Sequence, residues 1–359
     1  MVESTSLYSK FSGVNRESEQ TVVLTGGLGY IGSHVCALLH HQGYKPVLVD
    51  NLANCTLETL RRVEVLTSST LKFFDSDIRD TASLIEILDE VKASSVIHFA
   101  GLKAVGESET NPMEYFDNNV GGAISLFKAM RETGVKSLIF SSSATVYGLP
   151  EYLPIDENHK TAPTSVYGKT KLQVEEILNH LSSADSSWRV ICLRYFNPAG
   201  AHSSGLIGES PRGTPNNLVP YLVKVVSGDL DHLKVFGDDY DTPDGTGIRD
   251  YIHVSDLAAG HTAALEYLRN SASCFEIFNL GTGSGHSVME VIKTFEEISP
   301  VPISYEIVGR RLGDVACNYA DATKANEILG WNSQLNLKNI CESAWAYQRS
   351  QIEDKKLKS

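Results

Sequence analysis

One short stretch limits the folds open to this chain more than any other. A β-branched apolar run, Thr21–Thr25, ends in a turn with glycines at positions 26, 27, 29 and 32, and a helical pattern of apolar residues follows it. Such a strand leads the chain to the carboxyl edge of a sheet, and the glycines let the backbone approach a ligand closely. The helix then points free N–H groups and its positive dipole end at bound negative charge. This order is typical of a site for the pyrophosphate of a dinucleotide.

A second apolar strand, at 46–50, ends in Asp50, 18 residues beyond Gly32. A carboxylate at this point accepts hydrogen bonds from an adenosine ribose and repels a 2′-phosphate, which favours NAD over NADP. Glycine-rich turns are common, so the prediction depends on the rest of the chain.

Strand and helix patterns alternate from residue 21 to about 195. The strands are predicted at 21–25, 46–50, 71–74, 95–100, 136–142 and 189–194, and the helices at 30–42, 57–66, 80–92, 112–133 and 167–182. In the last helix the apolar residues repeat at helical spacing, while Glu175 and Glu176 are expected to point away from the core. The alternation predicts an α/β fold with a Rossmann-type, doubly wound parallel sheet.

The pattern changes after about residue 195, where loops rich in Gly, Pro, Asn and Asp separate shorter elements. Helices are expected near 217–228, 255–270, 287–298 and 336–350. We therefore predict a flexible tail at 1–20, a dinucleotide-binding domain at 21–195 to which 236–262 returns, and a smaller mixed α/β substrate domain at 196–235 and 263–359.

Composition narrows the classes of partner. The net charge of −13 argues against a general binder of nucleic acids or membrane surfaces. No apolar run approaches the roughly 18 residues of a membrane span. The six cysteines are scattered without a C-x-x-C motif, which favours a reduced, cytoplasmic protein, and we expect no metal site.

Two further polar clusters follow the predicted elements. Ser141–Thr145 comes directly after an apolar strand, and Tyr167 and Lys171 open a helix, where positions i and i+4 share a face. A phenol with a pKa near ~10 is a poor base at neutral pH. The Lys171 ammonium and a cationic nicotinamide would both lower the pKa of Tyr167, and Ser143 could relay a hydrogen bond to a substrate alcohol. A Tyr four residues before a Lys also occurs by chance, so the pair gains weight only beside a nucleotide fold.

Together with these features, further motifs appear in order along the chain: Asp77-Ile78, 98–108, 117–119, 193–198, 215–218, 245–254 and 310–314. From about residue 21 to 350 the chain thus resembles the extended short-chain dehydrogenase/reductase family, and within it the UDP-glucose (UDP-galactose) 4-epimerases. The resemblance implies an NAD-dependent enzyme that interconverts UDP-glucose and UDP-galactose, with Tyr167, Lys171 and Ser143 as catalytic residues.

The resemblance also implies binding residues. The NAD site would comprise Gly26, Gly29, Tyr30, Ile31, Gly32, Asp50, Asn51, Asn54, Asp77, Ile78, Phe99, Ala100, Lys103, Asn118, Ser141, Tyr167, Lys171 and Tyr195. The UDP-sugar would contact Lys103, Ser143, Tyr167, Phe196, Asn197, Asn216, Asn217, Leu218, Phe236, Arg249, Arg311, Asp314 and Asn318. Two alternatives stay open: Asn118 and Asn119 as helix-surface or capping amides, and Arg249 as the partner of Asp250 in a surface ion pair.

The resemblance carries a mechanism. Tyr167 would take the proton of the sugar 4-hydroxyl while C4 passes a hydride to tightly held NAD, and the 4-keto sugar would turn over before the hydride returns. Related dehydratases carry an Asp-Glu pair after the serine cluster, where this chain has Ala144 and Thr145, and related decarboxylases carry Glu at the position of Thr145. A non-catalytic NAD-binding protein is the rival hypothesis, but it would be expected to have lost Tyr167 or Lys171.

Three finer expectations remain. The family's gate over the sugar N-acetyl position falls on Asn318, or on Tyr319 if the count shifts by one, and Asn predicts some activity on UDP-N-acetylhexosamines. The second glycine cluster, Gly281–Gly285, is more consistent with a structural turn than with a phosphate loop. The helices at 112–133 and 167–182 could pair with their copies in a homodimer, although their apolar residues are equally compatible with packing inside one chain.

Overall fold

The computed structural model describes residues 20–358, except 212, 214 and 312. Residues 1–19 of the predicted tail therefore lie outside the described residues. The chain divides into two units. The first contains the residues up to Val146 together with Ser165–Leu193 and Ala258–Ile277, and the second contains Tyr147–Thr164, Arg194–Leu257 and the residues from Phe278 onward.

The strands and helices are numbered in chain order. The strands are β1 (Thr21–Thr25), β2 (Lys45–Asp50), β3 (Lys72–Asp75), β4 (Ser95–His98), β5 (Ser137–Ser143), β6 (Arg189–Tyr195), β7 (Asn197–Ala199), β8 (Leu233–Phe236), β9 (Ile248–His253), β10 (Cys274–Leu280), β11 (Gly285–Ser287), β12 (Tyr305–Val308) and β13 (Cys317–Asn318). The helices are α1 (Tyr30–His41), α2 (Leu57–Thr67), α3 (Thr81–Val91), α4 (Val105–Thr110), α5 (Pro112–Tyr115), α6 (Gly122–Thr133), α7 (Val166–Ala184), α8 (Leu218–Val226), α9 (Val254–Asn270), α10 (Val288–Glu296), α11 (Thr323–Leu329) and α12 (Leu337–Lys358).

The first unit is built on a seven-stranded sheet in the order β10-β6-β5-β4-β1-β2-β3. The pairs β1–β2, β1–β4, β2–β3 and β4–β5 are parallel. Every residue of β1 is buried, as expected of a strand with helices on both faces. Side chains from α3, α6 and α7, including Leu88, Phe127 and Leu178, form one core cluster with the sheet. The predicted Rossmann-type fold is confirmed.

The long helix predicted at 112–133 is interrupted. Between α5 and α6 the backbone forms a π-helical turn, Phe116–Gly121, which contains Asn118 and Asn119. Such a turn inserts one extra residue into the helical ladder and is frequent at functional sites. The apolar periodicity on either side predicted helix correctly, but it carries no sign of the insertion.

The second unit holds two small sheets. In one, β9 pairs with β7, β11 and β13, and in the other β8 pairs in parallel with β12. Side chains such as Leu222, Phe295 and Ile340 form its core. Helix α10 begins with a capping box, in which the Ser287 side chain accepts the Glu290 N–H and the Glu290 side chain accepts the Ser287 N–H.

The division of the chain differs from the predicted one in four segments, one of which is residues 194–195, which belong to the second unit. Residues 147–164 belong to the second unit, and so do 236–257, because β9 pairs only with strands of that unit. Residues 263–277 belong to the first unit, because β10 lies beside β6 at the edge of the large sheet. Among the described residues, no helix combines the length and apolar character needed to cross a membrane.

Candidate active site

The glycine turn between β1 and α1 is a backbone cradle. Gly26 has a positive φ of 67°, and a Cβ there would lie 2.6 Å from the Ala100 nitrogen. A Cβ on Gly32 would lie 2.5 Å from the Gly26 carbonyl oxygen. Gly29 caps α1 without a side-chain hydrogen bond, so no capping side chain takes the N–H groups of the first helical turn. This arrangement fits a pyrophosphate, because its ligands would be backbone N–H groups and the positive end of the helix.

Asp50 is the buried last residue of β2, and its carboxylate faces this turn. Oδ2 accepts the Leu28 N–H at 3.1 Å, and Oδ1 accepts the Leu52 N–H at 3.0 Å. The predicted acceptor for the ribose thus also holds the glycine turn in place. The two tasks are compatible, because each carboxylate oxygen has two lone pairs.

The end of β3 carries a network of charged residues. Asn51 donates to Asp77 at 3.1 Å, while Arg79 pairs with Asp77 at 2.9 Å and with Asp117 at 2.7 Å. The hydrogen bond from Arg79 is the main reason that the pKa of Asp77 is lowered to about 2. The structure therefore brings together Asn51 and Asp77, as predicted, and adds Arg79, which the sequence interpretation passed over. The signal for Arg79 was its position two residues after Asp77.

The other predicted cofactor residues of the first unit lie at several places in its structure. Tyr30 and Ile31 form the first turn of α1, the Ala100 N–H donates to the Thr25 carbonyl at 3.0 Å, and the Phe99 ring lies 5.0 Å from that of His261. Ile78 is buried, whereas Asn54 and Lys103 are exposed.

Asn119 is a buried connector in the π-helical turn. Its Oδ1 accepts the Leu102 N–H at 2.8 Å, and its Nδ2 donates to the Leu102 carbonyl at 3.0 Å and to Thr170 Oγ1 at 3.1 Å. It therefore links the loop after β4 to α7, and the alternative of a surface or capping amide is wrong for this residue. Asn118 donates to Asn119 Oδ1 at 3.0 Å, and its role toward NAD stays a prediction.

The three predicted catalytic residues meet where α7 begins against the end of β5. Lys171 Nζ donates to the Ser141 carbonyl at 2.7 Å and lies 5.8 Å from the centre of the Tyr167 ring. The Ser143 side chain lies near enough to the Tyr167 hydroxyl to favour its ionised form. Ser143 Oγ also accepts from the N–H of Thr145 at 3.2 Å and from its Oγ1 at 3.0 Å. Ser165 caps the helix by accepting the Gly168 N–H, which fixes the first turn that carries Tyr167.

Burial shifts the pKa values of both functional groups on α7. It lowers the pKa of Lys171 to about 8, and the negative charge of Glu175 opposes this shift. It raises the pKa of Tyr167 to about 12, and the nearby Ser143 side chain opposes that shift. Among the protein's own groups the cost of burying a phenolate dominates. The predicted fall of the Tyr167 pKa, which depends on Lys171 together with a cationic nicotinamide, stays a prediction.

Glu175 corrects another prediction. It was expected to point away from the core, but only 3% of its surface is exposed, and Ser142 Oγ donates to its Oε1 at 2.5 Å. Glu176, with the same expectation, is exposed. Apolar periodicity missed Glu175 because it counts a carboxylate as a surface residue. Its spacing of four residues from Lys171 was the available signal.

The second unit carries the predicted nucleotide-binding arginines. The Arg311 guanidinium lies 3.8 Å from the centre of the Phe236 ring, and Nη1 donates to the Asn216 carbonyl at 3.5 Å. Arg249 pairs with Asp314, and its Nη1 donates to the Ile248 carbonyl at 2.7 Å. The alternative of an Arg249–Asp250 ion pair is therefore wrong.

Asp250 is fully buried and has a structural task. It accepts hydrogen bonds from the Thr282 N–H, the Thr282 hydroxyl, the Gly283 N–H and the Ala320 N–H. These bonds hold the turn at Gly281–Gly285 against β9. Because the Asp250 carboxylate takes N–H groups of this turn, the contacts support the interpretation of the second glycine cluster as a structural turn.

The remaining predicted residues of the second unit occupy varied positions. Tyr195 and Phe196 are buried at the end of β6, Asn197 begins β7, and Leu218 begins α8. Asn217 precedes α8 and donates to Glu209 at 2.8 Å. Asn318 lies opposite Arg249 in the β13–β9 register, and its buried Oδ1 has no hydrogen-bond partner among the described residues.

Comparisons with known proteins agree with this geometry. A sequence model described as "NAD dependent epimerase/dehydratase family" matches residues 22–281. The chain is 49% identical over 331 residues to UDP-glucose 4-epimerase of Bacillus subtilis, covering 92% of this chain and 97% of that protein. It is 50% identical over 337 residues to the human UDP-glucose 4-epimerase, with the same shares covered.

A solved structure is equally similar. The UDP-glucose 4-epimerase from Bifidobacterium longum in complex with NAD+ and UDP superimposes with a TM-score of 0.90 at 48% identity, covering 93% of this chain and 99% of that one. The family match extends over more than half of this chain and includes the glycine turn, Tyr167 and Lys171. The chain belongs to the NAD dependent epimerase/dehydratase family.

Proposed function

We propose that this protein interconverts UDP-glucose and UDP-galactose by inverting the configuration at C4 of the sugar, with tightly bound NAD. The observation that carries the proposal is the contact of Ser143, Tyr167 and Lys171 at the junction of β5 and α7. This set offers a proton acceptor, a hydroxyl relay and a cation, which is what oxidation of a secondary alcohol requires. The similarity to UDP-glucose 4-epimerases over 92% of the chain supports the choice of substrate.

The residues of the first unit suit the cofactor. The Gly26–Gly32 turn would hold the pyrophosphate, Asp50 the adenosine ribose, and Lys171 the hydroxyl groups of the nicotinamide ribose. When bound, NAD supplies the acceptor that takes the hydride from C4 and returns it to the opposite face of the sugar.

Proton transfer falls to the side chains of α7 and β5. Tyr167 accepts the proton of the 4-hydroxyl, either directly or through Ser143, and gives it back after the keto sugar has turned. The Tyr167 pKa of about 12 must fall for this step. Cations lower the pKa of a phenol. Lys171 is one cation beside Tyr167, and an oxidised nicotinamide is the second.

The arginines of the second unit would anchor the UDP part while the sugar turns. Arg311, stacked on Phe236, presents a planar guanidinium suited to two phosphate oxygens at once. Arg249 is oriented by Asp314. Asn197, Asn216, Asn217 and Leu218 would complete this part of the site. A substrate held by its diphosphate can rotate at the sugar without leaving, which inversion by a single cofactor requires.

Ala144 and Thr145 favour epimerisation over related reactions. They stand where the resemblance places the Asp-Glu pair of dehydratases, and neither side chain has an ionisable carboxyl group to serve as the acid or the base of elimination. Elimination of water is therefore not open to this site.

The proposal is tested by incubating the purified protein with UDP-galactose, with and without added NAD, and following UDP-glucose by chromatography. We expect conversion to a mixture of the two sugars with no net reduction of NAD. The Tyr167→Phe variant, which keeps the fold and the glycine turn, is the control for a contaminating activity. A 4,6-dehydrated sugar, or no product even with NAD, would contradict the proposal.

A side activity on UDP-N-acetylhexosamines is proposed from Asn318. The Asn318 side chain is smaller than that of Tyr, which leaves room for an N-acetyl group. The backbone of the next residue is held in place, since the Tyr319 carbonyl accepts the Ile155 N–H at 3.0 Å. The measurement is kcat/KM for UDP-N-acetylglucosamine in the protein and in Asn318→Tyr. Turnover that is lost in Asn318→Tyr supports the gate, and no turnover above background in the unaltered protein removes the idea.

We also propose a homodimer in the cytoplasm. Met113 on α5 is 79% exposed and Ile124 on α6 is 36% exposed, so this stretch presents apolar side chains to the outside of the chain. A self-complementary contact of these helices and α7 with their copies would cover them. Light scattering after size exclusion should give twice the chain mass of 39.2 kDa, and Met113→Lys should lower it.

The scattered cysteines support a reducing compartment, which cell fractionation tests.

A further inference from the structure

Three consecutive serines at the end of β5 each contact a different residue of α7. The Ser143 side chain lies near the Tyr167 hydroxyl, the Ser141 carbonyl accepts from Lys171 Nζ at 2.7 Å, and Ser142 Oγ donates to Glu175 at 2.5 Å. Residues 167, 171 and 175 follow at intervals of four, so they occupy one face of the helix. The pairs that contain Tyr167 and Lys171 belong to the proposed mechanism, whereas the Ser142–Glu175 pair does not.

The Ser142–Glu175 pair is buried. Ser142 is 1% exposed and Glu175 is 3% exposed. A buried carboxylate is costly unless it is hydrogen-bonded and paired with a positive charge. The nearby cation on the same helix face is Lys171, which is itself 5% exposed.

Among the groups around Lys171, Glu175 is the acid whose charge favours the ammonium. On β4, His98 is buried, and burial together with the charge of Lys171 lowers its pKa to about 3, so its imidazole is neutral over the working range. On β5, the Ser141 carbonyl and the Phe140 ring, 4.9 Å from Nζ, supply a dipole and a π face but no charge. On α7, Tyr167 is a neutral phenol at rest. Among the described groups that affect the charge state of Lys171, Glu175 is the one that favours the ammonium.

We infer that Glu175, seated on Ser142, is a positioning residue that keeps the Lys171 ammonium charged and aimed at the end of β5. It acts through Lys171 and touches neither substrate nor cofactor in this scheme. The inference rests on the proposed function for its consequence, because a charged Lys171 is what assists Tyr167. Its physical content, the coupling of two buried charges, can be measured without any turnover.

The direct test is the titration of Lys171 in the full chain saturated with NAD. Lysines labelled with 13C at Cε are followed by NMR from pH 5 to 11, and the Lys171 signal is assigned by its loss in Lys171→Met. In Glu175→Gln, which keeps the shape of the side chain but not its charge, we expect the midpoint to fall by about 1 to 2 pH units, as for the loss of an opposite charge nearby. The matched control is Glu176→Gln, the same change on the exposed neighbour, which should leave the midpoint unchanged.

The rate of epimerisation should follow the titration. The alkaline limb of the kcat profile moves to lower pH in Glu175→Gln, with little change at a pH well below the new midpoint. If Glu175→Gln does not fold, Ser142→Ala serves instead and should move the midpoint in the same direction by a smaller amount, since the carboxylate then loses its hydrogen-bond donor. Glu175→Asp should lie between the unaltered protein and Glu175→Gln.

A midpoint that is unchanged or higher in the folded variants overturns the inference, and a loss of kcat that is equal at every pH would indicate a merely structural role. Absence of epimerisation in the unaltered protein would instead count against the proposed function, while the lysine titration would still decide the coupling.

Discussion

The polar groups of α7 and the arginines of the second unit differ in how much of each side chain is exposed. Lys171 and Glu175 are 5% and 3% exposed, and each is hydrogen-bonded to β5. In the second unit, the side chain of Arg249 keeps 16% of its surface exposed and its partner Asp314 keeps 32%. Burial moves the pKa of Lys171 and Tyr167 far from their ordinary values, because the charged forms lose their hydration. An arginine guanidinium stays charged whether its side chain is buried or exposed.

This difference teaches what each region can do. Groups that must exchange protons need a dry environment, where a small change in charge shifts a pKa by several units. Groups that must capture a diphosphate need charge that remains available and a fixed orientation. Removing a group from the buried region should therefore change kcat, while removing one from the exposed region should change KM.

The sharpest test of the buried region is Tyr167→Phe. We expect kcat to fall by about 10³-fold, because the proton acceptor is lost while the ring still packs. Binding of NAD and the thermal transition should be retained. The control is Tyr305→Phe, at a position 42% exposed on β12, which should leave kcat unchanged. Activity of Tyr167→Phe within tenfold of the unaltered protein would remove Tyr167 from the mechanism.

For the exposed region, the corresponding change is Arg311→Ala. We expect KM for UDP-galactose to rise by roughly 10- to 100-fold with a much smaller effect on kcat, since a charge-assisted contact with the diphosphate is lost. Steady-state kinetics measure both constants. Arg310→Ala is the matched control, because Arg310 stacks on Tyr240 and pairs with Asp239 instead. A kcat defect without a change in KM would reverse the assignment of roles.

The third prediction compares two glycines of the first unit, Gly32 in the glycine turn and Gly106 in α4. In Gly32→Ala the new Cβ would meet the Gly26 carbonyl oxygen at 2.5 Å, so the turn must shift. We expect a loss of about 2 kcal/mol in the free energy of unfolding and weaker binding of NAD. Urea unfolding and NAD titration measure these effects. Gly106→Ala in α4 is the control, because a Cβ there has no neighbour within 4 Å.

The smallest effect concerns pH. Lys171 has a folded pKa of about 8, below its ordinary value, so its ammonium is fully present well below that pH and is lost as the pH rises through it. If the ammonium assists Tyr167, kcat should be level below pH 8 and fall up to tenfold per pH unit above it. Lys171→Met should lower kcat and flatten this limb. A limb that persists in Lys171→Met would belong to another group.

Much of the candidate site could be predicted from local pattern. The glycine turn, Asp50 and the Tyr167–Lys171 pair are signals within a few residues, and the alternation of β1 to β6 with helices follows from periodicity. Ser143 could be added because it ends a strand. Such features need only the geometry of single elements and of a βαβ unit.

Other features depend on partners that are distant in sequence. Ser142 and Glu175 are 33 residues apart, Arg249 and Asp314 are 65 apart, and Asn119 reaches Thr170 over 51 residues. No periodicity reports such pairs, and a buried carboxylate is counted as a surface residue by any rule based on polarity. The same limitation explains why Asp250 was considered as a partner of its neighbour Arg249.

The sequence by itself therefore determined the Rossmann-type sheet, the glycine turn at Gly26–Gly32 and the placement of Tyr167 and Lys171 on one face of α7. Each of these is encoded by short-range steric and hydrogen-bonding preferences. Only the tertiary structure decided which charges are buried and which partners hold them, including Glu175 on Ser142 and Asp250 beneath the second glycine turn. Burial and pairing are properties of the whole packed chain, because they depend on what the other strands and helices bring alongside.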